Sequence, residues 1–300
     1  FTNNNNKFKY IRKRSNNMRI LVTGGAGFIG TNLIKRLLKE DHDVVSIDNF
    51  STGKIENKIP RVNYHEFTMG NRHKHPNYIE FEIGKVDIVY HLAAKARIQP
   101  SFKYPEEYLE TNYKGTYEVV KYCTEFNIPL IYAGSSSHHS GKFKNPYTFS
   151  KDMGEDIINL YQQHFNLKAS IARFYNVYGP YQLTEGGYTT LIGKWLNNIE
   201  KGLPCEIYGD GSKRRDFTHV DDIIEALIRI VDREKYGYIF ELGRGKNITV
   251  NAVANLLNIK PIYKADKPGE AFATLADRTE ARLHLEWDAK INLEDYIKTL

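Results

Sequence analysis

From residue 18 onward the chain alternates two kinds of hydrophobic pattern. Arg19–Val22, Val44–Asp48, Val86–Leu92, Leu130–Ala133 and Ala169–Phe174 are short apolar runs with little polar alternation, as in strands buried on both faces. Between them lie stretches with a helical period. In Thr31–Glu40 the residues Leu33, Ile34, Leu37 and Leu38 form one apolar stripe. Strands separated by helical segments predict right-handed βαβ units and a parallel sheet. After about residue 176 the segments shorten and Gly and Pro recur, at Gly179-Pro180, Gly186-Gly187, Gly209-Asp210-Gly211 and Pro268-Gly269. The pattern predicts an α/β fold: a doubly wound parallel sheet over residues 18–176, and a smaller α/β lobe over 177–300 interleaved with the last strands.

Residues 1–17 do not share this patterning. Thr2–Asn6 is nearly all asparagine and Lys7–Arg14 is basic, so an arm outside the fold is expected, with Met18 as the expected natural start. It lacks the apolar core of a secretory signal and the serine richness usual in a transit peptide. Apolar residues make up 41% of the 300, enough for a substantial interior. No apolar run reaches the eighteen residues a membrane span needs. Cys123 and Cys205 are the two cysteines. They are far apart and in no metal-like spacing, which excludes a disulfide scaffold and fits a reducing, cytoplasmic setting. The net charge of +6 reflects either a solvated basic surface or attraction to an anionic ligand such as a phosphate ester. No basic stripe with interleaved aromatics speaks for nucleic acid.

The strongest local signal is Thr23-Gly24-Gly25-Ala26-Gly27-Phe28-Ile29-Gly30. It follows a predicted strand and opens a predicted helix, the context a dinucleotide-binding, Rossmann-type fingerprint requires. The glycines permit a tight turn and close approach of the backbone to a pyrophosphate, which then meets the helix N-terminus. Asp48 ends the second strand, twenty-four residues after Gly24. A carboxylate there suits the adenosine ribose hydroxyls and repels a 2′-phosphate, so NAD is expected rather than NADP. The plainer reading of Asp48 is a cap on the turn Asn49-Phe50-Ser51.

Tyr147 and Lys151 stand four apart on a helix that Pro146 helps to start, so both lie on one face. A tyrosine with a pKa near ~10 is a poor base at neutral pH. A neighbouring cation, aided by a positive nicotinamide ring, stabilises its phenolate. Alone, the pair is no more than a solvated helix face would show. The loop Gly134-Ser135-Ser136-Ser137 after the strand Leu130–Ala133 changes that, because ligands bind at the carboxyl ends of such strands and a serine there can hold a reacting oxygen. His138 and His139 are expected to be loop residues; no further ligands are positioned for a metal.

These stretches, together with Asp48–Gly53, His91-Leu92-Ala93-Ala94, Asn112–Thr116, Arg173–Pro180 and Gly209–Asp222, resemble the extended short-chain dehydrogenase/reductases of the nucleotide-sugar epimerase type, close to UDP-glucose 4-epimerases. The resemblance spans nearly all of Met18–Leu300. It implies that Ser135, Tyr147 and Lys151 are catalytic: Tyr147 takes the proton of the sugar 4-hydroxyl, Ser135 bridges, and Lys151 tunes Tyr147 and binds the nicotinamide ribose. Hydride passes from C4 to tightly held NAD and returns to the other face of a 4-keto sugar. The implied cofactor residues are Gly24, Gly27, Phe28, Ile29, Gly30, Asp48, Asn49, Ser51, Thr52, Gly53, Leu92, Ala93, Ala94, Asn112, Tyr147 and Lys151. The nucleotide sugar is expected to meet Ser135, Ser136, Asn176, Ile207, Tyr208, Arg215, Lys267 and Thr274. Arg215 faces the diphosphate, Ile207 and Tyr208 the base, and Lys267 replaces a second arginine of the family. A homodimer through a helix pair that includes Tyr147–His164 is also implied.

Two departures stand out. The link from Ser135 to Tyr147 is short, and His138-His139-Ser140 replaces the usual Val-Tyr-Gly. Dehydratases of this group place an Asp-Glu pair after the catalytic hydroxyl, and decarboxylases a Glu. Here Ser136, Ser137, His138 and His139 follow, with no carboxylate, which points to epimerisation. Dehydration or decarboxylation of a nucleotide sugar is the alternative, and a non-catalytic NAD-binding sensor a second one. Thr274 stands where a Tyr often limits room for an N-acetyl group.

Overall fold

The computed structural model describes residues 17–70 and 78–300; the arm expected before Met18 lies, apart from Asn17, outside the described residues. The chain starts with β1 (Arg19–Thr23), β2 (Asp43–Asp48), β3 (Asn63–Glu66), β4 (Ile88–His91), β5 (Leu130–Ser135) and β6 (Ala169–Phe174). Short strands β7 (Val177–Tyr178), β8 (Glu206–Tyr208), β9 (Arg214–Asp216) and β10 (Thr218–His219) follow. β11 (Ile239–Leu242) then returns to the main sheet, before β12 (Asn247–Thr249) and β13 (Ile262–Lys264). The main sheet has seven parallel strands in the order β11-β6-β5-β4-β1-β2-β3. The direction of winding reverses between β1 and β4, and a crevice at the carboxyl ends there is where such sheets bind ligands.

Alternation along β1 divides the core. Ile20 and Val22 point to one face, among Leu33, Ile34, Leu37, Ile223 and Leu227. Leu21 points to the other, among Ile47, Val119, Val120 and Ile158. Both faces are therefore covered by helices, which is why these strands read as unbroken apolar runs. A third cluster, with Trp195, Ile207, Phe217 and Val253, joins elements beyond β6. Those elements pair in small sheets, β10 with β7, β12 with β9 and β13 with β8.

The helix Phe28–Lys39 begins three residues before the expected Thr31, and β5 runs two residues past Ala133, pairing Ser135 with Phe174. Ser135 is thus the last residue of a buried strand and not part of the loop. The tyrosine helix spans Pro146–Phe165; the Asn145 side chain caps it by accepting from Thr148 N at 2.8 Å, and Asn166 closes it at φ 56°. No described helix is long and apolar enough to cross a membrane.

Candidate active site

A cleft opens at the carboxyl ends of β1, β2, β4, β5 and β6. Its floor is the glycine turn after β1. Gly24 has φ +74°, and a β-carbon there would lie 2.8 Å from Ala93 N; at Gly30 it would lie 2.1 Å from Gly24 O. The turn therefore folds onto itself and onto the segment after β4 only because both positions lack side chains. The helix that follows has Gly27 at its N-cap, no side-chain cap bond and no acidic residue in its first turn. Its free N–H groups and positive dipole end favour an anion. Asp48 pins the turn: its carboxylate accepts from Ala26 N at 2.9 Å and Phe50 N at 2.8 Å. Burial raises its pKa, opposed by these two N–H donors. A cradle that any β-carbon would fill, an uncapped helix start and a carboxylate at the end of β2 fit the pyrophosphate and ribose of a dinucleotide.

His91, at the end of β4, is buried between Thr23 Oγ1 at 2.7 Å and Thr116 Oγ1 at 3.0 Å. Burial pushes its pKa down to about 3, so it is neutral and serves as a strut between β1, β4 and the helix Gly115–Glu125.

Ser135, Tyr147 and Lys151 meet on one wall. The Ser135 hydroxyl lies beside the Tyr147 phenol and accepts from Ser137 Oγ at 3.0 Å and Ser137 N at 3.2 Å. Burial raises the Tyr147 pKa, while the Ser135 hydroxyl and the Arg97 charge pull it down. Lys151 is 4% exposed, with its Nζ 4.1 Å from the centre of the Tyr132 ring. Burial lowers its pKa to about 7, against the pull of Glu155 and Asp152. Burial thus disfavours the charged form of both groups: the Lys151 proton is easier to lose, and the Tyr147 phenolate depends on neighbouring charge and hydrogen bonds.

The histidines after the serines are more than loop residues. His138 Nδ1 meets Asp152 Oδ1 at 3.0 Å, and His139 Nε2 bonds Glu241. Glu155 is gripped by the Arg173 fork, at 2.6 Å from Nη2 and 3.1 Å from Nε. His138, Asp152 and Glu155 bring ligand-type atoms within 4.8 Å of one another, but the guanidinium already neutralises Glu155. The cluster is a hydrogen-bond network built on the Arg173–Glu155 ion pair, and it fastens the short turn Ser136–Ser140 to the sheet.

A model of the NAD dependent epimerase/dehydratase family matches residues 20–243. The chain belongs to this family. A putative UDP-glucose 4-epimerase of Methanocaldococcus jannaschii is 28% identical over 299 residues, which cover 93% of this chain and 96% of the relative. UDP-glucuronic acid decarboxylase 4 of Arabidopsis thaliana is 27% identical over 300 residues, 92% of this chain and 66% of the relative. The crystal structure of a UDP-glucose 4-epimerase with UDP-glucose from Thermotoga maritima matches with TM-score 0.87 at 28% identity, covering 94% of this chain and 96% of that one. As a member of the epimerase/dehydratase family the chain is an enzyme that uses NAD.

Most of the residues that the family pattern singles out in the sequence line the cleft: Gly24, Gly27, Phe28, Ile29, Gly30, Asp48, Asn49, Ser51, Thr52, Leu92, Ala93 and Ala94 around the glycine turn, and Ser136, Asn176, Arg215 and Thr274 with Ser135, Tyr147 and Lys151. Thr274 Oγ1 donates to Asn176 Oδ1 at 3.0 Å. Arg215 donates to the carbonyls of Arg214 at 3.0 Å and Phe272 at 3.2 Å and faces Glu270 at 3.5 Å.

Five expected residues do not line the cleft. Gly53 packs behind it, where a β-carbon would stand 2.9 Å from Ala26 C and 3.0 Å from Asp48 Oδ2. Asn112 is 1% exposed, and its amide clasps the Lys95 backbone at 2.7 and 2.9 Å and Ser150 Oγ at 2.9 Å. Ile207 is buried in the third core cluster, so its side chain has no free surface for a base. Tyr208 and Lys267 satisfy each other beside the cleft, with Nζ 3.5 Å from the ring centre, and the Tyr208 hydroxyl donates to Glu206 at 2.9 Å. The cleft also contains residues that the sequence reading passed over: Arg97, Glu270, Lys95 and Tyr188. They sit on loops with no periodic or motif signal. The one clue was the basic pair Lys95 and Arg97 directly after His91–Ala94.

Proposed function

We propose that this enzyme inverts C4 of a UDP-sugar of the gluco/galacto configuration, the series of UDP-glucose and UDP-galactose, by way of a 4-keto intermediate. The observation that carries this reading is the meeting of Ser135, Tyr147 and Lys151 in the same cleft as the glycine turn. Gly24–Gly30, Asp48 and Lys151 would hold NAD, which would supply the hydride acceptor and donor of the two half-reactions. Tyr147 removes the 4-hydroxyl proton, and Ser135 orients that oxygen. Lys151 and Arg97 stabilise the phenolate electrostatically. Arg215 holds the diphosphate with its planar fork.

Epimerisation is favoured over dehydration by the carboxylate inventory. Among the described residues lining the cleft the acids are Asp48 and Glu270. Asp48 is bonded to the glycine turn and Glu270 faces Arg215. Neither is free to act as the extra acid or base that loss of water requires. Asp152 and Glu155 lie behind the wall with His138 and Arg173. The place of Thr274 at the cleft supports room for a larger sugar substituent, such as an acetamido group.

We also propose that the protein works as a cytoplasmic homodimer through the helix Pro146–Phe165, which leaves Leu160 47% and Phe165 53% exposed.

Purified protein is incubated without added cofactor with UDP-glucose, UDP-N-acetylglucosamine, UDP-glucuronate and dTDP-glucose, and products are read by NMR. The C4 epimer is the expected product. A deoxy-keto sugar or a pentose would replace this reading with dehydration or decarboxylation. Tyr147→Phe should lower kcat by about 10²–10⁴-fold while NAD still binds; an unchanged rate removes Tyr147 as the proton carrier.

A further inference from the structure

One cation in the cleft leaves most of its donors unused among the described residues. Arg97 Nε donates to Tyr188 O at 3.1 Å. Its two terminal amino groups have no hydrogen-bond partner among the described residues. The other cations are engaged. Lys95 pairs with Glu107 at 3.0 Å, Lys151 lies on the Tyr132 ring at 4.1 Å, and Arg215 faces Glu270 at 3.5 Å. Arg97 is half-buried beside Tyr147 in the cleft wall. Its guanidinium keeps its charge under any ordinary condition.

The backbone shows how firmly this cation is placed. Arg97 has φ 86° and ψ 136°, a conformation that L residues rarely adopt. Tyr108 OH is directed at Ala96 O at 2.8 Å and Arg97 O at 2.9 Å, and Asn112 clamps the Lys95 backbone from below. Glycine would sit at residue 97 without strain. An arginine there carries a conformational cost that its own hydrogen bond to Tyr188 O does not explain.

Position along the cleft decides what the arginine meets. The Tyr108 ring that anchors Arg97 packs edge-on against Tyr147, with centroids 6.2 Å apart. Arg97 therefore lies at the end of the cleft where the reacting sugar carbon must be, and Arg215 takes the diphosphate. A planar fork with two free amino groups matches a carboxylate in bidentate fashion. Resting on the nucleotide-sugar reading above, we propose that Arg97 is a specificity-determining residue that pairs with a carboxylate on the sugar ring, so that the preferred substrate within the series is a nucleotide hexuronate.

The test is calorimetric binding of UDP, UDP-glucose and UDP-glucuronate to the NAD-loaded enzyme, wild type beside Arg97→Gly and Arg97→Lys. Wild type should bind UDP-glucuronate at least about tenfold more tightly than UDP-glucose. Arg97→Gly should bring that ratio near one and leave UDP affinity within about twofold, and Arg97→Lys, charged but without the fork, should fall between. Since glycine relieves the backbone, the Gly variant should melt at or above the wild-type temperature, which shows that it is folded. Equal affinity of the wild type for the two sugars overturns the proposal, and so does a parallel loss of UDP affinity in Arg97→Gly, which would assign the fork to the diphosphate. Failure of UDP itself to bind would instead bring down the nucleotide-sugar reading, and this inference with it.

Discussion

At the scale of single residues the site depends on burying two groups that water would normally keep protonated. Lys151 shows the consequence for stability. Its pKa falls from an ordinary 10.5 to about 7 in the folded protein, chiefly through burial. Between those values the unfolded chain carries a proton that the folded chain lacks. Stability of the cofactor-free protein should therefore rise with pH from about 7 toward 10, and the full burial cost should be felt below 7. Lys151→Met removes the charge at nearly constant shape. Its melting temperature should exceed wild type near pH 7, and the gap should close by pH 10. A constant gap across that range, measured by thermal melts, would contradict the burial argument. The residues missed in the sequence belong to this scale as well. Arg97 and Glu270 carry no spacing signal, because each reaches the cleft from a loop whose path is set by distant contacts, such as Tyr108 OH on Ala96 O.

At the scale of elements, legibility followed burial. β6 matches its expected span Ala169–Phe174 residue for residue: it is an interior strand buried from Ala169 to Arg173, with the Ser170 hydroxyl bonded to Lys235 O and the Arg173 fork to Glu155. β3, Asn-Tyr-His-Glu, was not foreseen: it is an edge strand with no fully buried residue, so pairing with β2 makes it a strand and no hydrophobic pattern does. The glycine turn was legible because its chemistry is local to eight residues. Ile207 and Lys267 fall outside the cleft lining because a family likeness fixes the neighbourhood of a side chain and leaves its direction to packing in the smaller lobe. The turn itself yields a sharp test. In Gly30→Ala the new β-carbon would meet Gly24 O at 2.1 Å. The clash is with backbone and cannot be relieved by a rotamer, so the variant should lose about 1–3 kcal/mol of stability and most of its NAD affinity. Denaturant titration and cofactor binding together check this. Wild-type NAD affinity in Gly30→Ala would show that the turn does not hold the pyrophosphate.

At the scale of the whole molecule, one buried carboxylate joins segments remote in sequence. Asp216, fully buried, accepts from Arg244 N, Gly245 N and Ala276 N at 2.9, 2.8 and 3.0 Å. It fastens the segments after β11 and around Thr274 to β9, and so sets where Arg215 and Thr274 stand in the cleft. The proposed dimer can be examined at the same scale. Leu160→Asp with Phe165→Asp changes two exposed side chains of this helix, Leu160 on the face opposite Lys151 and Phe165 at its C-terminal end. Sedimentation should show a dimer for wild type and a monomer for the pair, with the fold intact. A wild-type monomer at micromolar concentration would remove the dimer.

The near-collision of Gly24 with Ala93 bears on how such a protein can vary. Two turns sixty-nine residues apart in the chain share a space too small for one extra carbon. A side chain gained on either turn must be matched by retreat of the other, so substitutions there should show strong epistasis. A library randomised at both turns together would recover functional pairs that no stepwise walk through single replacements could reach.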